Sequence, residues 1–234
     1  MALAEELSHP HSLAYALSSA AIPHQYRWEG QTTQEQAEAA ITFSTERGFT
    51  HWVAWGTMLR GWALAEQGRG EEGIVQLHQG LAAYRAAGAE AARPYLLALL
   101  AEAYEKAGQA EEGLSRLTEA LAVGNNSGDH WYEAELYRLK GKLILQSKVQ
   151  GPQAKVEEEA EEYFLKSIEV ARWQQAKSLE LRAVMSLSRL WQKQGKKDEA
   201  RQLLAEIYGW FTEGFDTKDL QEAKALLAEL AEGR

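Results

Sequence analysis

The string Gly68-Arg69-Gly70-Glu71-Glu72-Gly73 has the form G-x-G-x-x-G, the fingerprint of a dinucleotide site. Such a site needs a preceding strand and a helix N-terminus free to receive a pyrophosphate. Here the preceding residues carry a helical pattern, and Glu71 and Glu72 fill the following helix N-terminus with negative charge. The string returns at a spacing of 40 as Gly108-Gln109-Ala110-Glu111-Glu112-Gly113, and in degenerate form as Gly195-Lys196-Lys197-Asp198-Glu199-Ala200. It reads as the turn of a repeat, and no cofactor is expected. The six histidines, His9, His11, His24, His51, His78 and His130, are dispersed, with no i,i+4 pair beside a third ligand, so no metal site is expected. His9 and His11 flank Pro10 at a helix start, where a capping role suits them. Carboxylate runs such as Glu157-Glu158-Glu159 and Glu161-Glu162 read as the solvated face of an amphipathic helix. Neither a G-x-S-x-G elbow nor a phosphate-binding loop occurs, no catalytic residue is assigned, and the chain is not expected to be an enzyme.

The elements that position these residues are bounded by composition. With 234 residues, 45% hydrophobic and 25% charged, the chain can bury a substantial core as one repeat domain, residues 1–234. Formal net charge is −9, unevenly placed: residues 1–129 carry 8 Lys+Arg against 16 Asp+Glu, and residues 130–234 carry 17 against 18. An acidic chain without a Lys/Arg-rich tract matches the phosphate backbone poorly, so nucleic acid is not an expected partner. The absence of cysteine removes disulfides and thiolate chemistry and points to a cytoplasmic location. No basic region followed by an apolar stretch opens the chain and no run of about 18 apolar residues occurs, so neither a signal peptide nor a membrane span is expected.

Anchoring on the repeated turn places small residues at Ala37, Gly73, Gly113, Ala160 and Ala200, with gaps of 36, 40, 47 and 40. The gap of 47 contains Gly151-Pro152, which breaks a helix and lengthens one loop. Helix pairs are expected at about 10–47, 50–87, 91–123, 130–174 and 177–211, with a terminal helix at about 218–232. Gly68, Gly108 and Gly195 stand where a helix needs a left-handed C-terminal residue, and the acidic pairs after them suit the positive end of the next helix. Gly61, Ala101, Gly141 and Ser188 form a second small-residue row, in the middle of the first helix of each pair, where another helix can approach closely.

The spacing of Gly61, Leu64, Gly68, Gly73, Leu77 and Gly80, repeated as Ala101, Tyr104, Gly108, Gly113, Leu117 and Ala120, resembles the tetratricopeptide repeat (TPR). Ser188, Trp191, Gly195, Ala200 and Leu204 fit the same pattern, while the first and fourth pairs fit it less well and the closing proline is absent. The resemblance implies an all-α, right-handed TPR-like solenoid of about five helix pairs plus a C-terminal capping helix. A narrower resemblance rests on His9-Pro10-His11-Ser12-Leu13-Ala14, Glu135-Leu136-Tyr137-Arg138-Leu139-Lys140-Gly141 and the stretch from Tyr208 to Leu220. These look like the C-terminal TPR region of bacterial signalling proteins in which a class III adenylate/guanylate cyclase domain and an NTPase precede the repeats. That resemblance implies a regulatory or interaction segment without the catalytic domains.

By analogy with TPR geometry, the inner face of the first helices takes Trp55, Met58, Trp62, Tyr95 and Glu102, and further along Arg138, Lys142, Arg182, Met185, Arg189 and Lys193. A groove with aromatic and basic ends would suit a protein partner or an acidic peptide. Two readings of these residues stand open: Trp55 and Trp62 suit either a core or a ligand platform, and the arginines either a partner or acidic neighbours such as Glu135 and Glu180. The asparagines that complete the carboxylate clamp of chaperone-binding TPR domains are missing from these positions. The expected function is a non-catalytic interaction scaffold of a bacterial signalling protein. The alternatives are a small-effector sensor and a homo-oligomerisation module. Two local expectations concern the ends. Met1 to Leu7 has the composition of the end of a second helix, cut from a preceding repeat. Trp210, Phe211 and Phe215 should fold inward as a cap, with Gly209 and Gly214 turning the chain.

Overall fold

The computed structural model describes residues 9–147 and 152–232. The expected helix remnant at Met1 to Leu7 lies outside the described residues. Eleven helices and no strands occur among them: α1 (Pro10–Tyr26), α2 (Gly30–Glu46), α3 (Thr50–Glu66), α4 (Gly70–Ala86), α5 (Arg93–Lys106), α6 (Ala110–Ser127), α7 (Glu133–Gln146), α8 (Gln153–Trp173), α9 (Lys177–Lys193), α10 (Lys197–Tyr208) and α11 (Lys218–Ala231). The fold is all-α and made of TPR-like helix pairs, with one further helix at the end of the described residues.

The chain divides into two compact units, one ending at Arg116 and the other starting at Leu117, with α6 running across the division. In the first unit α1, α3 and α5 pack side by side as one layer, and α2 and α4 form the other. In the second unit α7, α9 and α11 form one layer and α8 and α10 the other. Each unit thus has a face made by first helices and an opposite face made by second helices.

Local sequence explains these elements. His9 caps α1, its Nδ1 accepting the Ser12 N–H at 3.2 Å, and Pro10 takes the first helical position, where a missing N–H costs nothing. Glu71 and Glu72 open α4, Glu111 and Glu112 open α6, and Asp198 and Glu199 open α10, opposite the positive ends of those helices. The row of small first-helix residues is a packing device. A Cβ on Gly61 would stand 2.8 Å from the Gly73 carbonyl oxygen, and one on Gly141 would stand 2.7 Å from the Phe164 ring. Ser188 holds the equivalent place by donating its hydroxyl to the Ala200 carbonyl at 3.2 Å. The helix α5 is buried all round along its middle, from Pro94 to Tyr104, and its buried side chains are apolar apart from Glu102 and the tyrosine hydroxyls.

The turn between paired helices is left-handed at Gly68, Gly108 and Gly195, with φ of 86°, 71° and 80°. The equivalent residue of the first pair is Trp28, at φ 61°. This corrects the register expected for that pair. Helices α2, α4 and α6 begin at residues 30, 70 and 110, so the period is 40 from the start, and Thr33, not Ala37, matches Gly73. A threonine replaces the small residue there, its buried hydroxyl donating to the Glu29 carbonyl at 2.9 Å, and the next alanine, Ala37, stands one helical turn further on.

The expected aromatic cap is a second correction. Trp210 and Phe215 are exposed and Phe211 is half-buried, and α11 covers α10 and α9 with Leu220, Ala223, Leu226 and Leu230 instead. Gly214 does turn the chain with φ 77°, whereas Gly209 keeps φ −66° at the end of α10.

Candidate functional site

The first-helix face of the first unit is built of aromatic rings. Tyr15 meets Trp52 edge-on at 5.5 Å, Trp52 meets His51 at 4.6 Å, and His51 meets Tyr84 at 5.0 Å. Tyr84 leads to Trp55 at 5.9 Å, which stacks on Tyr95 at 6.2 Å with planes 29° apart, and Tyr95 leads to Tyr26 at 6.0 Å. Residues 15, 55 and 95 follow the 40-residue period, so the fold itself aligns them on successive first helices. His51, Trp52, Trp55 and Tyr26 are half-exposed and Tyr15 is exposed. Polar pairs anchor the floor of this face: the Tyr95 hydroxyl donates to Gln25 Oε1 at 2.9 Å, and the Tyr84 hydroxyl to the Ala91 carbonyl at 2.8 Å. Burial pushes the Tyr95 phenol well above its ordinary pKa, so it remains a neutral donor. Burial, with the neighbouring His11, pushes His51 down and favours its uncharged form.

Beside these rings, Trp28 packs on Trp62 at 5.8 Å, and the Trp62 Nε1–H donates to the buried carboxylate of Glu102 at 2.5 Å. Lys106 places its ammonium 6.0 Å from the Trp28 ring while pairing with Glu66 at 3.0 Å. This is a cation held over an aromatic face with a carboxylate beside it.

The second unit carries an ionic first-helix face. Arg138 makes a fork to Glu135, Nε to Oε2 at 2.9 Å and Nη2 to Oε1 at 2.5 Å, with the carboxylate wholly buried and the arginine 6% exposed. Arg182, 7% exposed, joins α9 to α11 through Asp219 at 2.8 Å, and Arg189 repeats the link through Glu222 at 2.8 Å. Burial alone would raise the Glu135 carboxyl, but the charge and hydrogen bonds of Arg138, with Arg182 and Lys142 behind them, hold it below the ordinary carboxylate range. Glu180 is engaged by Arg172 and Lys177, each at 2.7 Å.

The expected groove residues therefore divide. Trp55 lies on the surface of the aromatic face. Met58, Trp62 and Tyr95 lie beneath it at 1%, 2% and 1% exposure, so their side chains belong to the core and not to a ligand platform. Arg138, Arg182 and Arg189 are matched by carboxylates of their own chain. Periodicity places a residue on a face but does not reveal a partner 37 positions on in α11. Lys142 is half-buried near Glu135, Met185 is buried, and Lys193 is exposed. Trp28, Tyr26, His51 and Trp52 are surface residues that the sequence reading missed. Their signal was present, because Trp28 stands 40 residues before Gly68 and His11 stands 40 before His51.

No family model matches the chain. An uncharacterized protein of Rhizobium meliloti (strain 1021) is 26% identical over 143 residues, which are 61% of this chain and 14% of that protein. The chain thus matches a small part of the length of this curated relative. Among solved structures, a putative kinesin light chain of Podosopora anserina with nearly identical TPR-like repeats superposes with a TM-score of 0.55 at 17% identity, covering 96% of this chain and 99% of that one. A single-substitution variant of the same protein gives 0.56 at the same identity and coverage. At such low identity the likeness is one of fold, and it is the fold of TPR-like helix pairs.

Proposed function

We propose that this chain is a non-catalytic interaction module of a larger bacterial signalling protein, taking a protein or peptide segment on its first-helix face. The observation that carries this reading is the run of rings on two neighbouring first helices, exposed Tyr15 and half-exposed Tyr26 on α1 with half-exposed His51, Trp52 and Trp55 on α3, set over the buried ring of Tyr95 on α5. Stacked helix pairs spread their residues over extended surfaces, and rigid aromatic side chains there give large contact area at little entropic cost. The larger context draws on the bacterial relative, in which 143 matched residues make 14% of a chain about 1,000 residues long. The test is photo-crosslinking in cells that express the whole protein, with a photoreactive phenylalanine analogue replacing Trp52 or Tyr15 and, as a control, Val75 on the second-helix face. Crosslinks to a protein from the first two positions and none from Val75 are expected. Crosslinking only from Val75 would refute the assignment of the face.

Self-association is the second reading, drawn from Trp173, which is 81% exposed at the end of α8. A sedimentation mass of one chain at high concentration would remove it.

A further inference from the structure

We infer that the aromatic face of the first unit accepts a positively charged segment of a partner protein, its arginine or lysine side chains seated on the rings around Trp28 and Trp55. This rests on the interaction reading above and names the chemistry of the partner. Three independent observations converge on it.

The first is conformational. Trp28 occupies the left-handed turn position that glycine holds at 68, 108 and 195, although a side chain with a Cβ is strained there. The turn would form more easily with glycine, yet the chain keeps a large ring at that position. The ring is held against Trp62 at the edge of the aromatic face and stays half-exposed. Strain retained at a half-exposed ring points to a use for that ring beyond the turn.

The second is the chemistry already present at the spot. Lys106 reaches Trp28 and Glu66 from α5, so a cation, a ring and a carboxylate are assembled there within one molecule. The buried carboxylate of Glu102 accepts the Nε1–H at the edge of Trp62, the indole on which Trp28 packs, and so makes that ring more electron-rich. An arriving guanidinium finds the surroundings that the chain gives its own ammonium.

The third is charge. Residues 1–116 hold 8 Lys+Arg and 14 Asp+Glu, so the unit has an excess of six negative charges. On the face itself, His51 is held toward its neutral form. The field of the unit draws in cations and repels an acidic peptide. In the second unit, by contrast, Arg138, Arg182 and Arg189 are matched by Glu135, Asp219 and Glu222. An acidic peptide would have to displace these internal carboxylates.

The probe is a short peptide of alternating arginine and serine, titrated calorimetrically into the intact chain, with the corresponding glutamate–serine peptide as control. The arginine peptide should bind, more weakly as salt rises, and the glutamate peptide should not. Trp28→Gly, which relieves the turn, should keep the far-ultraviolet circular dichroism and weaken binding about fivefold, the worth of one cation–π contact. Lys106→Met removes the internal competitor and should strengthen binding at least about twofold, a gain that loss of structure cannot mimic. Equal binding of both peptides, or weaker binding by Lys106→Met, would overturn the inference. If neither peptide binds while Trp52 and Tyr15 still crosslink to a partner, the cationic partner is wrong and the interaction module stands. If the crosslinks also fail, both readings fall.

Discussion

Replacing Arg182 with methionine tests whether the cations of the second unit serve the fold. The side chain is 7% exposed, and its Nε lies 2.8 Å from Asp219 Oδ2, across the gap from α9 to α11. Methionine fills much of the same volume but leaves Asp219 without this charge and removes one of the cations that hold the Glu135 carboxyl low. Breaking a buried pair by removing one partner costs about 3–5 kcal/mol. Asp219 keeps 19% side-chain exposure, so water relieves part of its loss and the lower end, about 3 kcal/mol, applies. At about 2–4 °C per kcal/mol for a chain of this size, the melting temperature should fall by about 6–12 °C. Hydrogen exchange should rise first in α11, which this link ties to α9. The assay is thermal and urea unfolding of Arg182→Met, Asp219→Asn and the double variant. If the pair is the cause, the double variant should lose less than the two single losses combined, by about 1–3 kcal/mol. A single loss under about 1 kcal/mol, or additivity within about 0.5 kcal/mol, would refute a structural role and return Arg182 to the list of partner-binding residues.

Three further outcomes follow from packing and charge. Gly61→Ala gains about 1 kcal/mol of helix propensity, but its Cβ meets the Gly73 carbonyl oxygen at 2.8 Å, so overpacking of about 1–3 kcal/mol should dominate and lower the urea midpoint. Because the Glu135 carboxyl lies below its ordinary value of 4.5 in the folded state, its ionisation contributes stability that is present above pH 4.5 and is lost as the pH falls through the folded value. Glu135→Gln should therefore flatten the acid limb of the stability–pH curve, and an unchanged limb would show that other carboxylates set it. The double change Trp210→Ser with Phe215→Ser should alter unfolding by less than about 0.5 kcal/mol, since both rings are exposed; a larger loss would restore the aromatic cap.

The repeat was legible in the chain because its signals are local. A left-handed turn needs glycine, an acidic pair suits a helix N-terminus, and closely packed helices need small residues, so Gly68, Glu71, Glu72, Gly61 and Gly73 declared helix pairs without reference to distant contacts. The same reasoning failed where another residue met the same need by different means: Thr33 buried its hydroxyl where glycine was sought, and Trp28 took a glycine conformation. What the tertiary structure alone decided is which side of each first-helix residue faces a neighbour. Trp62 stood open between core and ligand platform and Tyr95 was placed on the inner face, until Glu102 and Gln25, 40 and 70 residues away, covered their polar atoms in the core. Arg182 stood open between a groove cation and the partner of an acidic neighbour, and α11 decided it by bringing Asp219 to it. Periodicity assigns a residue to a helix face, but its chemistry there depends on partners from other repeats, and only the packed chain supplies them.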